Sequence, residues 1–406
     1  MTLKTTVTYT LSRCVKCLRC IQSCPTSALS MQNNRIRIDQ NLCLNCGQCI
    51  RTCQSKGLSA QGSTLADITN YDVTVCLVPS AFTTRCSSGF EARQMFYALK
   101  KIGFDEVVDL SPYEGRIHEE FVTAASTEIG TSITSFCPVI NRLIQLQYPM
   151  LAEAQAALRY PSEAAARDLR QRMKGQGTVG IFLLCECEAK LALAKYPYGN
   201  SEYEVDHAMS SVDLMPVLRK HLSEGVDELT LCPQGLLTAN PSQLEDDTDF
   251  LVVDGLERCG SVLSMLEFNQ LPMYRGMELY ACANGCIGGH LLWGNSYAAR
   301  KNTSVLINDL RHKETAVLSS SALHVSEKAF FTSDTRTFQE KFAAFQKIQQ
   351  ILEQLPGFDC SACGFQTCRK MAEMIVEGKR TLNDCRVLAA ENNPKEDSAS
   401  MTPPKC

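Results

Sequence analysis

Cys14, Cys17, Cys20 and Cys24 read C-x2-C-x2-C-x3-C, and Cys43, Cys46, Cys49 and Cys53 repeat that spacing at a constant offset of 29 residues. Pro25 closes the first run, and Gln54 stands at the matching position of the second. Gaps this short let several thiolates from one loop converge on a single iron–sulfur cube, so these eight side chains are expected to ligate clusters that take up and release electrons. A C-x2-C pair also suits tetrahedral zinc, but four cysteines at this spacing, twice over, favour iron and sulfide. A disulfide framework is disfavoured, because such scaffolds are small and secreted whereas this chain has 406 residues.

The stretch around residues 5–60 resembles a bacterial two-cluster ferredoxin. In such proteins the fourth cysteine of each run ligates the other cluster. The resemblance therefore assigns Cys14, Cys17, Cys20 and Cys53 to one 4Fe–4S cluster, and Cys43, Cys46, Cys49 and Cys24 to the other. Near the far end, Cys360, Cys363, Cys368 and Cys385 read C-x2-C-x4-C-x16-C, with a helix expected from Arg369. A loop at a helix N-terminus offers free N–H groups to cluster sulfurs. This segment is similar to the small iron–sulfur domain of the B subunit of Rnf electron-transport complexes and of corrinoid iron–sulfur proteins. It implies a third 4Fe–4S cluster, with zinc as the rival.

Four more cysteines, Cys137, Cys187, Cys282 and Cys286, fall where expected strands run into loops. Ligands in α/β sheets gather at the carboxyl ends of strands, so these residues can converge despite their separation in sequence. Thr134-Ser135-Phe136-Cys137-Pro138 resembles the first signature of FeFe hydrogenases, T-S-C-C-P. Cys187-Glu188-Ala189-Lys190 resembles the second, M-P-C-x-x-K-x-x-E, and Glu278 to Cys286 the third, E-x-M-A-C-x-G-G-C. Val78-Pro79-Ser80-Ala81 and Leu99 to Asp105 also look like family stretches, so the resemblance spans about residues 70–310.

By that resemblance the four cysteines hold a fourth 4Fe–4S cube, and Cys286 bridges it to the diiron subsite of an H-cluster, which carries CO and cyanide. Lys190 is implied as the catalytic residue that donates hydrogen bonds to a cyanide. The departures bear on this. Phe136 stands where the family has a proton-relay cysteine, and a phenyl ring carries no proton. Cys185-Glu186 replaces Met-Pro, Leu193 replaces the closing Glu, and Tyr280 replaces the third signature's Met. Glu119-Glu120 could match the family's outer proton route, with Thr123 where another Glu is expected. Cys185 and His290 are substitute relays in principle, although a bland thiol near the cluster and a surface imidazole are the simpler readings.

These sites need a scaffold. The expected fold is α/β: an FeFe hydrogenase-like central domain (70–320), a ferredoxin-like α+β module before it (1–62), and a small, mainly helical iron–sulfur module after it (335–390). Residues 391–406 read as a disordered tail. Strands are expected at Val73–Val78, Val107–Val108, Val179–Leu184, Glu228–Leu231, Phe250–Val253 and Met277–Tyr280, with helices between them, as in a largely parallel sheet. Helical spacing marks Gly89–Ile102, a helix opened by Pro161, and Thr335–Leu355 with a stripe of Phe338, Phe342, Phe345, Ile348, Leu352 and Leu355.

The net charge of −4 argues against a nucleic-acid partner, the more so as each oxidised cubane with four thiolates adds about −2. The start is polar, and no apolar run approaches a membrane span, so a reducing, anaerobic cytoplasm is expected. No G-x-G-x-x-G follows a strand, which leaves a redox protein or complex subunits as the electron partner. The resemblance implies an iron–sulfur oxidoreductase of the divergent, sensory hydrogenase kind, exchanging electrons between hydrogen and a protein. The alternatives are a non-catalytic electron-transfer subunit with only a cubane in the centre, and a hydrogenase-like assembly scaffold. Cys76, Cys86, Cys185, Cys232, Cys259 and Cys406 stay unassigned; Cys76 and Cys232 read as core.

Overall fold

A computed structural model describes residues 4–127, 130–197, 204–229, 231–240, 249–309, 316–325 and 337–392. The expected disordered tail lies almost wholly outside these residues, as does Cys406.

In the N-terminal module β1 (Val7–Tyr9) starts the chain, β2 (Leu29–Gln32) and β3 (Arg35–Ile38) form a hairpin, and β4 (Leu58–Ala60) returns to pair antiparallel with β1. Asn33 and Asn34 turn the hairpin with positive φ, the backbone that a two-residue hairpin loop demands. Arg35 and Arg37 are exposed on β3, with Ile36 buried between them. The 29-residue repeat is also a backbone repeat. Lys16 and Asn45, Leu18 and Gly47, and Ser27 and Lys56 are three pairs at that offset, and all six are left-handed. Such turns point successive N–H groups into one concavity, where sulfur can accept them. The N–H of Ala28 donates to Cys24 Sγ and that of Gly57 to Cys53 Sγ, both at 3.2 Å and again 29 residues apart.

In the central region β5 (Val73–Val78), β6 (Glu106–Asp109), β7 (Ser132–Ile133), β8 (Val179–Cys185), β9 (His207–Ser210), β10 (Phe250–Asp254) and β11 (Gly276–Tyr280) follow in order. They form two sheets where one was expected. A four-stranded sheet runs β6-β5-β8-β9, a three-stranded one β10-β11-β7, and every pair is parallel. β5 and β8 are buried on both faces, as parallel strands flanked by helices must be. Cys76, Val78, Phe182 and Leu184 pack under helix Gly89–Lys101, whereas Val75, Leu77, Ile181 and Leu183 pack under helix Pro161–Arg172. The fold is thus α/β with parallel sheets.

Glu228–Leu231 is not a strand in its described residues: Leu231 packs with Leu236 and Leu306, and Pro233 begins a helix two residues on.

In the C-terminal module, helix Phe338–Leu352 is capped by Thr337 with Glu340 and packs on helix Cys368–Val376. Its stripe is buried only at one end. Ile348, Leu352 and Leu355 join Phe365 and Met371, while Phe342 and Phe345 are 52% and 45% exposed.

Candidate iron–sulfur sites

Sulfur lines each cavity that the sequence spacing points to. Cys14, Cys17, Cys20 and Cys53 surround one small cavity walled by Leu18, Ile36 and Leu58. Cys24, Cys43, Cys46 and Cys49 form the second set. Burial pushes the Cys49 thiol up, and Cys43, Cys46 and Cys24 add to the shift because their thiolates would repel its charge. Cys46 is pushed up to about 12 for the same two reasons. The fourth cysteine of each run therefore stands with the first three of the other. Cys360, Cys363, Cys368 and Cys385 surround a third cavity beneath Leu355, Phe365 and Met371.

The central four come from three strand ends. Cys137 follows β7 and immediately precedes helix Pro138–Gln147, and Cys187 follows β8 and precedes helix Glu188–Lys195. Cys282 follows β11, and Cys286 sits in the turn Gly285–Gly288 beyond left-handed Asn284. All four line one large cleft between the sheets and the N-terminal module. Cys282 is pushed up by burial, then by Cys187, Cys137 and Cys286, so the four thiols share one field. The N–H groups of Val139 and Ile140 oppose burial at Cys137, as a helix N-terminus favours an anion. The glycine run after Cys286 permits backbone contact between ligand loops: a methyl on Gly288 would collide with the Ala283 carbonyl, and one on Gly289 with the Glu186 carbonyl. The Leu291 N–H donates to that Glu186 carbonyl at 2.9 Å.

The four-thiol sets fit cubanes. No group of three or more His, Cys, Asp or Glu side chains among the described residues is disposed to hold a single metal ion.

The surroundings of Lys190 differ from what the hydrogenase resemblance implies. Its ammonium faces the cleft but donates to Glu186 Oε1 at 2.5 Å, and the two side chains are 13% and 1% exposed. Burial lowers the lysine's pKa, yet Glu186, Cys286 and Glu114 carry it above its ordinary value. Glu186 Oε2 has no hydrogen-bond partner among the described residues. Glu114 is itself raised to about 7 by burial, with Lys190 opposing the shift. An anionic cyanide ligand would meet a lysine already engaged and two acids beside it. These residues do not fit the diiron group.

Phe136 is buried and stacks on His118, with ring centres 6.5 Å apart. His118 Nε2 lies 2.8 Å from Glu278 Oε1, the Tyr280 hydroxyl donates to Glu278 Oε2 at 2.8 Å, and Gln234 Nε2 meets His118 Nδ1 at 3.0 Å. Sequence reasoning missed this buried chain, because its members sit on three separate elements. The Glu186–Lys190 pair was legible as an i,i+4 contact. Glu120 is held by Arg116 and His324 on the side of its helix, and neither it nor Glu119 lines the cleft.

Cys185 packs into the core beneath the sheet, facing the Leu183 carbonyl, which matches the bland reading. His290 is not a surface imidazole: it lines the cleft, 15% exposed, 3.6 Å from Glu188 and 3.5 Å from Arg51. Cys76, Cys86 and Cys232 are core, and Cys259 lies behind the cleft with Sγ 3.4 Å from the Tyr280 carbonyl.

Three family models match the chain. Residues 6–54 match the 4Fe-4S dicluster domain, residues 74–230 the C-terminal domain of the iron-only hydrogenase large subunit, and residues 355–387 a putative Fe-S cluster domain. The hydrogenase match spans Cys137, Cys187 and Lys190 and ends before Cys282 and Cys286. Similar solved structures include a variant of [FeFe]-hydrogenase HydA1 from Chlamydomonas reinhardtii, at 14% identity over 62% of this chain and 90% of that one, with a TM-score of 0.47. Another, HydA(deltaEFG), described for stepwise H-cluster assembly, has 15% identity over the same shares, also at 0.47. No curated protein matches.

Proposed function

We propose that this chain is an iron–sulfur electron-transfer protein with four 4Fe–4S cubanes, the central one seated in a hydrogenase-like domain without hydrogen chemistry. Cys14, Cys17, Cys20 and Cys53 hold one cubane, Cys24, Cys43, Cys46 and Cys49 the second, Cys360, Cys363, Cys368 and Cys385 the third, and Cys137, Cys187, Cys282 and Cys286 the fourth. Each cubane supplies one-electron storage when bound. The chain's own part is to bury the thiolates, aim N–H groups at sulfur and exclude water. The observation that supports this reading is the Glu186–Lys190 pair, which binds the lysine's ammonium to a buried carboxylate where a diiron subsite would need it as a donor. Electrons are exchanged with a redox protein or complex partner.

A second reading keeps one observation of its own: Lys190 and Cys286 still face each other across the cleft, close enough for each to shift the other's pKa. It is a sensory hydrogenase-like centre. Infrared spectra after co-expression with the hydrogenase maturation enzymes decide between the two. The electron-transfer reading expects no CO or cyanide stretches and roughly 16 irons per chain. Such stretches at full iron content would overturn it in favour of the sensory centre.

A further inference from the structure

The C-terminal cysteine loop is held by direct contacts to the N-terminal module. The Met31 N–H donates to the Gly364 carbonyl at 2.7 Å, and a side chain at Gly364 (φ +87) would collide with the Met31 carbonyl. Gln366 accepts from Ser27 Oγ at 2.6 Å and donates to the Gln22 carbonyl at 3.1 Å. Gln366 stands between Cys363 and Cys368, while Gln22 and Ser27 bracket Cys24. One amide side chain thus ties a ligand loop of the third site to a ligand loop of the second.

The second site has two further neighbours. Cys20 of the first set packs in one buried cluster with Cys24, Cys43 and Cys49 of the second, so those two sets adjoin. Cys46 packs in one apolar cluster with Cys137 and Cys187 of the central set, and Leu44 beside it is buried there. The outer sites are the more exposed: Cys17 and Cys360 are exposed, whereas Cys24, Cys43 and Cys49 are buried and Cys46 is half-buried.

We infer that the second site is a three-way electron junction, and that the C-terminal site is a second port into it, parallel to the one at Cys17. This rests on the cubane reading above. One electron leaves a reduced low-potential iron–sulfur protein and takes the C-terminal cubane from its 2+ to its 1+ core. The same electron then reduces the second cubane, and no proton moves or bond changes. Two ports let two donors load one central site.

The test is electron paramagnetic resonance on the full, iron-loaded chain, poised stepwise in potential. The reduced C-terminal signal should be split by its neighbour once the second cubane is also reduced. Gly364→Val and the milder Gln366→Ala should remove that splitting while iron content stays unchanged. A full iron content with an unsplit sum of independent signals overturns the junction alone. An iron content short of the cubane complement removes the cubane reading, and the junction with it.

Discussion

Lys190, Glu186 and Glu114 set the electrostatic character of the central cleft. Burying an ammonium is costly unless an acid accompanies it, and losing one partner leaves the other charged and unpaired, at on the order of 3 kcal/mol. We expect Lys190→Met to destabilise the protein by about that amount. The double variant Lys190→Met with Glu186→Gln should recover most of the loss, as read from urea midpoints. Glu114 gives a pH signature. Its folded pKa, about 7, lies above the usual 4.5, so the native chain holds a proton that the unfolded chain releases. Stability contributed by that proton is full below pH 4.5 and is lost as pH rises through 7, at a cost on the order of 3 kcal/mol. Glu114→Gln should therefore raise the urea midpoint at pH 8 and leave it nearly unchanged at pH 4. An equal gain at both values would mean that the effect is not titration.

At the scale of elements, the ligand loops depend on where the backbone turns left-handed and where two chains touch. Gly47 precedes the helix Gln48–Thr52 at φ +72, and a methyl there would meet the Glu188 carboxylate, which is buried next to Cys187. Gly289 abuts the carbonyl of Glu186 itself. Gly289→Ala must push apart the loops bearing Cys286 and Cys187. We expect roughly 2–3 kcal/mol of destabilisation, the range for overpacking against fixed backbone, and loss of about one cubane's iron. Iron assay against a Gly260→Ala control separates this from a general glycine effect, since Gly260 sits inside helix Leu256–Glu267 and a methyl there would meet only the Tyr148 hydroxyl, at 3.7 Å. Retention of all the iron in Gly289→Ala would show that the loops can yield.

Across the whole molecule, buried contacts help to seat the N-terminal module on the central region. Arg142, from the helix that Cys137 opens, is fully buried and donates to the Gln40 carbonyl at 2.5 Å. Arg142→Leu removes that charge-assisted bond, with an expected loss of about 2 kcal/mol. The first two sites should keep their iron, while spin coupling between the second and central cubanes weakens. Unaltered coupling would assign the docking to Leu44 and its apolar neighbours instead.

Spacing, read with the ferredoxin and Rnf-type resemblances, made three of the four cysteine sets legible, because a cubane's ligands come from one or two short loops whose reach the chain length fixes. Two of the three strands that position the central set, β8 and β11, were legible as apolar runs, since parallel strands are buried on both faces, whereas the two-residue β7 before Cys137 was not. Their division into two sheets was not, nor was the absence of a strand at Glu228–Leu231, because partner edges lie far away in sequence. The sequence by itself determined which thiols can gather and that electrons are their business. Only the tertiary structure decided that Tyr280, Glu278 and His118 form one buried chain, and that the C-terminal site leans on the second one. Each depends on groups brought together by packing, and pairing across elements leaves no period or spacing in the chain.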